Sequence, residues 1–188
     1  MTIINPQIAL SRLMDGNQAY CHASSNPGNI SEDIRTQTHI QGQHPYAIIL
    51  TCSDSRVIPE HIFMAGIGEL FTIRVAGNVV DDCVLGSIEY AAAHLDAKLI
   101  VVLGHSGCGA VDAAIHDAGH DRIISITQKI KNAIGHANDA VVCEKTNVYH
   151  SIESIRNSTL IQHLEASGAL NIVGAYYHTD SGVVEWLS

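Results

Sequence analysis

Tyr46-Ala47-Ile48-Ile49-Leu50-Thr51-Cys52-Ser53-Asp54-Ser55-Arg56 opens with an uninterrupted apolar run and switches at Cys52 to small and charged side chains. A run without alternation reads as a strand covered on both faces, the kind found in parallel sheets wrapped by helices. Two further runs have the same character. Leu70-Phe71-Thr72-Ile73-Arg74-Val75 is closed by Gly77-Asn78, and Ala97 to Leu103 leads through Gly104 into His105-Ser106-Gly107-Cys108-Gly109. Between them, Val84, Leu85, Ile88, Ala91, Ala92 and Leu95 recur at helical spacing, which predicts a helix over Asp82 to Leu95. Helical patterns also cover Ala110 to Ala118, Ile123 to Ala133 and Ser151 to Ala166. The apolar runs Leu170 to Tyr177 and Val183 to Leu187, separated by Ser181-Gly182, read as a hairpin.

Strands alternating with helices predict an α/β fold: a single domain whose central, mostly parallel β-sheet has right-handed crossovers, flanking helices and an antiparallel edge strand. Residues 1–188 form one unit with no repeat or linker, divided into an N-terminal helical arm, 1–43, and an α/β core, 44–188. Within the arm, Ile8, Leu10, Leu13, Met14 and Tyr20 predict a helix from Gln7 to Tyr20, and Gly28 to Gln43 reads as polar and loop-like.

In such sheets ligands gather beyond the carboxyl ends of the strands. Cys52 and His105 each stand directly after a strand, so two distant segments converge. His105 and Cys108 are two residues apart, and one tight turn directs both at a single ion. Two thiolates and an imidazole form a soft donor set that suits Zn²⁺ better than Mg²⁺ or Ca²⁺. Three protein ligands with a free fourth position mark a catalytic site and not a structural one. A helix starting near Ala110 would bring its positive end to the Cys108 sulfur and favour the thiolate. Asp54 and Arg56, two apart on a turn, form a carboxylate-guanidinium pair beside the first ligand. The plainer alternative is two small core cysteines and a hydrogen-bonded loop histidine. It suits either segment taken alone and is improbable for both together. Among the other cysteines, Cys83 is expected to pack in the core at a helix start, and Cys21 and Cys143 have no companion ligand.

The 188 residues carry a net charge of -9 and only 10 Lys+Arg, scattered along the chain, so no basic patch is available for nucleic acid. No apolar stretch reaches membrane-spanning length. Met1-Thr2-Ile3-Ile4-Asn5-Pro6 shows no secretory pattern, and five cysteines are an odd number for a disulfide framework. A cytoplasmic protein with reduced thiols is expected. Of the 12 histidines, His22, His39, His116, His120, His136 and His150 read as solvated surface side chains.

Beyond these separate features, the chain resembles the β-class carbonic anhydrases. The resemblance runs through Gln43-His44-Pro45, Cys52-Ser53-Asp54-Ser55-Arg56-Val57, Gly68-Glu69-Leu70-Phe71, Arg74-Val75-Ala76-Gly77-Asn78, Gly86-Ser87-Ile88-Glu89-Tyr90 and Gly104-His105-Ser106-Gly107-Cys108-Gly109-Ala110, with Gly16-Asn17 and Gly174-Ala175-Tyr176-Tyr177 at the ends. It implies zinc held by Cys52, His105 and Cys108, with Asp54 and Arg56 as the catalytic dyad. It also implies a substrate pocket in which Gln43 donates a hydrogen bond and Phe71 and Tyr90 form an apolar wall. The activity implied is reversible hydration of carbon dioxide to bicarbonate and a proton by zinc-bound hydroxide. If Arg56 releases Asp54, that carboxylate becomes a zinc ligand in an inactive state at lower pH. A homodimer or homotetramer is implied as well, with the pocket at the subunit interface and the N-terminal helices clasping the partner. A tryptophan three positions before the first cysteine ligand goes with a second bicarbonate site in some members; Ile49 stands there, which argues against that form of inhibition here.

Two alternatives accompany this reading. Carbonyl sulfide or carbon disulfide hydrolysis would use the same zinc site behind a differently shaped entrance. A non-catalytic, zinc-stabilised scaffold would keep the fold, but it would have no use for Asp54 and Arg56.

Overall fold

A computed structural model describes residues 4–26 and 28–187. The absence of an export pattern, read partly on Met1-Thr2-Ile3, lies outside those residues in part. The chain begins with helix α1 (Pro6–Tyr20), started by the Asn5 side chain accepting the Ile8 N–H at 2.9 Å. Ala9 and Leu13 on this helix are fully buried. A second helix, α2 (Glu32–Gln41), occupies the segment expected to be loop-like, and this corrects that expectation. Its signals are local. Ser31 caps it, Glu32 and Asp33 favour its first turn, and Gly42 ends it at φ +79°, but α2 buries no residue and so has no apolar stripe to reveal it.

The core follows as β1 (Ala47–Thr51), α3 (Pro59–Ile62), β2 (Leu70–Arg74), a 3₁₀ turn at Ala76–Asn78, α4 (Asp82–His94), β3 (Leu99–His105), α5 (Gly109–Ile115), α6 (Ile124–Ile134), α7 (Ala140–Arg156), α8 (Thr159–Ala166), β4 (Asn171–Tyr177) and β5 (Val184–Leu187). The sheet runs in the order β2-β1-β3-β4-β5, with β5 antiparallel and every other pairing parallel, as expected. The single helix expected over 151–166 is instead two. Ser158 breaks the run by accepting the Ile161 N–H as the cap of α8, and α7 begins earlier, behind a cap at Asp139.

Both faces of the sheet are covered, which is why its central strands are continuously apolar. Ala47, Ile49, Leu99, Val101 and Leu103 pack with α1 and α3 on one face. Ile48, Leu50, Ile100 and Val102 pack with α4, α7 and α8 on the other. A third cluster under α5 and α6 contains Cys52, Cys108 and Cys143. Cys83 contradicts the expectation of core packing: it is exposed, because the inward face of α4 is taken by Val84, Ile88, Ala91 and Ala92. Among the described residues no helix is long and apolar enough to cross a membrane.

The register aligns the strand ends that matter. Thr51 lies opposite Arg74 on one side and Leu103 on the other, and its hydroxyl donates to the Leu103 carbonyl at 2.8 Å. The segments leaving β1 and β3 therefore emerge side by side.

Candidate metal centre

Cys52 follows β1, His105 ends β3, and Cys108 caps α5, and all three are buried. Their ligand atoms lie within 4.8 Å of one another, the one group of three or more His, Cys, Asp or Glu so placed among the described residues. The turn between His105 and Cys108 depends on Gly107, whose φ of +69° strains any residue with a Cβ.

His105 is prepared to be a ligand. Its Nδ1 donates to the Ser106 carbonyl at 3.1 Å, which leaves Nε2 with the lone pair, and that atom is buried without a hydrogen-bond partner. An orphaned acceptor costs stability unless something fills its role. Burial pushes the His105 pKa down, but the neighbouring Cys52 sulfur, the Ser106 carbonyl and Asp54 outweigh that and leave it raised.

Of the two sulfurs, Cys52 is the one whose pKa is lowered. The Cys108 thiol donates to it and holds its pKa down against the cost of burial, with further help from His105 and from the backbone N–H groups of Gly77, at 3.2 Å, and Asp54. Cys108 is held up by that same bond and by burial, although the N–H groups of Ala110 and Val111 at the start of α5 pull the other way. The helix end expected near Cys108 is thus present. Two sulfurs and one buried, unpartnered imidazole lone pair, packed against one another, fit a zinc ion.

Beside this triad, Arg56 grips Asp54 with two teeth: Nε donates to Oδ1 at 2.9 Å and Nη2 to Oδ2 at 2.7 Å, with the Arg56 backbone N–H also on Oδ1 at 2.9 Å. Those bonds from Arg56 hold the Asp54 carboxyl well below the usual carboxylate range. Arg56 Nη2 also donates to the Gly107 carbonyl at 3.1 Å, tying the β1 loop to the β3 loop.

Arg74 is a contributor that sequence reasoning did not single out. From the end of β2 it donates to the carbonyls of Cys52 at 3.2 Å and Asp54 at 2.7 Å, fixing the loop that carries both. Arg74 opens one of the segments that carry the resemblance, but its role follows from its position opposite Thr51 in the register, which is not visible before the strands are paired. Of the expected pocket residues, the structure brings Phe71 and Tyr90 together with ring centroids 6.4 Å apart. Tyr90 is half exposed, and Gln43, beyond the end of α2, is exposed as well.

Comparison with known proteins agrees with this centre. The family described as carbonic anhydrase matches residues 47–184. A carbonic anhydrase of Mycolicibacterium smegmatis is 36% identical over 96% of this chain and 93% of its own length. Among solved structures, a β-carbonic anhydrase of Aspergillus fumigatus superposes with a TM-score of 0.78 at 25% identity, covering 83% of this chain and 81% of its own. One of two tetrameric β-carbonic anhydrases from Sordaria macrospora superposes with a TM-score of 0.70 at 25% identity, covering 82% and 91%.

Proposed function

Since the chain belongs to the β-class carbonic anhydrase family, we propose that Cys52, His105 and Cys108 hold its zinc and that Asp54 and Arg56 act on the reaction as a pair. The protein is a zinc-dependent lyase that hydrates carbon dioxide reversibly to bicarbonate and a proton. The observation that carries the residue assignment is the orphaned His105 Nε2 among two sulfurs, one loop away from a carboxylate held by a guanidinium.

Zinc, when bound, supplies the Lewis acidity that makes hydroxide available near neutral pH. Asp54, kept ionised by Arg56, accepts a hydrogen bond from the attacking hydroxide and turns its lone pair toward the substrate carbon. One C–O bond forms, a π pair moves onto a substrate oxygen, and the proton lost by the next water leaves to buffer. Arg56 also steadies the Gly107 carbonyl, so a single side chain keeps the dyad in register with the His105 and Cys108 turn. Phe71 and Tyr90 are proposed as the apolar wall for carbon dioxide and Gln43 as a hydrogen-bond donor to substrate. Were Arg56 to let go, Asp54 would be free to join Cys52, His105 and Cys108 in holding the zinc; X-ray absorption at low pH that finds no added oxygen ligand from protein would remove that state.

The exposure of Gln43 and Tyr90 in a single chain supports a pocket completed by a second subunit, in a homodimer or homotetramer. Five cysteines without a disulfide support a reducing, cytoplasmic setting, where the ligand thiols stay available. Residues 1–43 are proposed as the arm of the assembly and 44–188 as its catalytic core. Neither the hydrolase nor the scaffold alternative is favoured, since the family match and the zinc triad go together with a complete dyad. Stopped-flow hydration with zinc content measured in parallel tests the assignment. Chelation should abolish turnover and zinc should restore it, whereas Cys52→Ser with full zinc and full activity would overturn the ligand set.

A further inference from the structure

Along one face of α7 stand three polar side chains, Glu144, Asn147 and Ser151, which are only 4%, 1% and 2% exposed. Spacings of three and seven put them on one stripe of a helix. Polar groups at such depth are costly unless bonded, and each of these bonds either to Cys108 or to the Gly77-Asn78 turn that meets the Cys52 sulfur. Glu144 Oε1 accepts the Cys108 backbone N–H at 2.9 Å, and its Oε2 is fixed by the Tyr176 hydroxyl at 2.5 Å. Asn147 Nδ2 donates to the Gly77 carbonyl at 2.7 Å, and the Ser151 hydroxyl donates to the Asn78 carbonyl at 2.9 Å.

The Gly77-Asn78 turn is the one whose N–H, from Gly77, reaches the Cys52 sulfur at 3.2 Å. Both of its residues lie in the left-handed region, at φ +70° and +44°, and Asn78 is not a glycine. A strained backbone of this kind persists only when its surroundings hold it there. Asn147 and Ser151 provide that hold from outside the turn.

We propose that α7 is a clamp for the two zinc thiolates: Glu144 positions Cys108, while Asn147 and Ser151 hold the turn whose N–H bonds the Cys52 sulfur. The three are positioning residues and touch neither substrate nor metal. The proposal rests on the zinc assignment made above. A thiolate that accepts an N–H bond is a poorer electron donor, so releasing the turn raises the donor level of the Cys52 sulfur. It also leaves that arm less organised for the ion.

The test compares zinc affinity, measured by competition with a chromogenic chelator on folded apoprotein, and the sulfur-to-cobalt charge-transfer band of the Co(II)-substituted protein. Asn147→Ala and Ser151→Ala should each weaken zinc by about 10–100-fold and move the band to lower energy. Ile152→Val, one residue along α7 but packed in the sheet-facing core, is the control for simple destabilisation and should move neither. Unchanged affinity and spectrum in the polar variants, or the same changes in Ile152→Val, would overturn the clamp. If Asn147→Ala does not fold, Ser151→Ala decides alone. Failure of the unaltered protein to bind one equivalent of zinc would remove the metal assignment itself, a result distinct from loss of the clamp.

Discussion

Arg56 is the residue on which the chemistry of Asp54 turns, because its three bonds to the carboxylate set both charge and direction. Replacing Asp54 by Asn keeps the shape and removes the acceptor charge. Turnover should fall by about 10²–10⁴-fold, the range typical of a lost proton-handling group, with zinc content unchanged in elemental analysis. Full activity in Asp54→Asn would end its role. The acid side follows from the direction of the pKa shift. With the folded value held below the ordinary one, the folded chain keeps the carboxylate through the usual carboxylate range, while the stability it contributes is full above that range and is lost progressively as pH falls through it toward the folded value. Arg56→Ala removes the bonds that depress it and frees the carboxylate to turn toward the metal donors, so turnover should fall across the neutral and alkaline range with zinc still bound. A pH-rate profile of Arg56→Ala that matches the unaltered protein would contradict the pairing.

At the scale of elements, the site is precise because α7 lies close on the sheet, and two glycines allow it. A Cβ added at Gly104 would meet Val148 Cγ2 at 2.5 Å, and one at Gly174 would meet Val148 Cγ1 at 3.1 Å. Gly104→Ala should therefore lift α7 or bend β3 just before His105, costing about 1–3 kcal/mol in urea unfolding. A cost below a few tenths would show that the helix has room to spare. This same layering separates what was readable in the sequence from what was not. Buried strands announce themselves by unbroken apolar runs, and Cys52 and His105 by their place after them, so the centre and the parallel sheet were legible. Helix α2 was not, since its determinants are caps and a C-terminal glycine with no apolar stripe behind them. Nor were Glu144, Asn147 and Ser151: a polar residue on a helix reads as solvated until the partner loop is known. The exposed Cys83 failed for a related reason, as the start of α4 has an outer as well as an inner face.

For the whole molecule, the proposed ion joins the ends of two strands that are neighbours in the sheet but far apart in sequence, so its binding is linked to folding. An ion that binds only the folded chain stabilises it by about 4 kcal/mol at a thousandfold excess over Kd, so chelation should lower the melting temperature and make it depend on zinc concentration. The proton count of that step is set by the two sulfurs together with the water that ionises on the ion. Cys52 has its pKa lowered and meets the ion as a thiolate, whereas Cys108 has its pKa raised and must give up its proton to bind. Zinc binding should thus release roughly two protons near pH 8, one from Cys108 and one from the water that ionises on the ion, and affinity should rise with pH. Calorimetry in buffers of different ionisation enthalpy measures the count directly. A release of three protons near pH 8 would mean that Cys52 and Cys108 are both thiols before the ion arrives, and a release of only one would mean that both are already thiolates. Either result would overturn the picture of one proton held between two sulfurs.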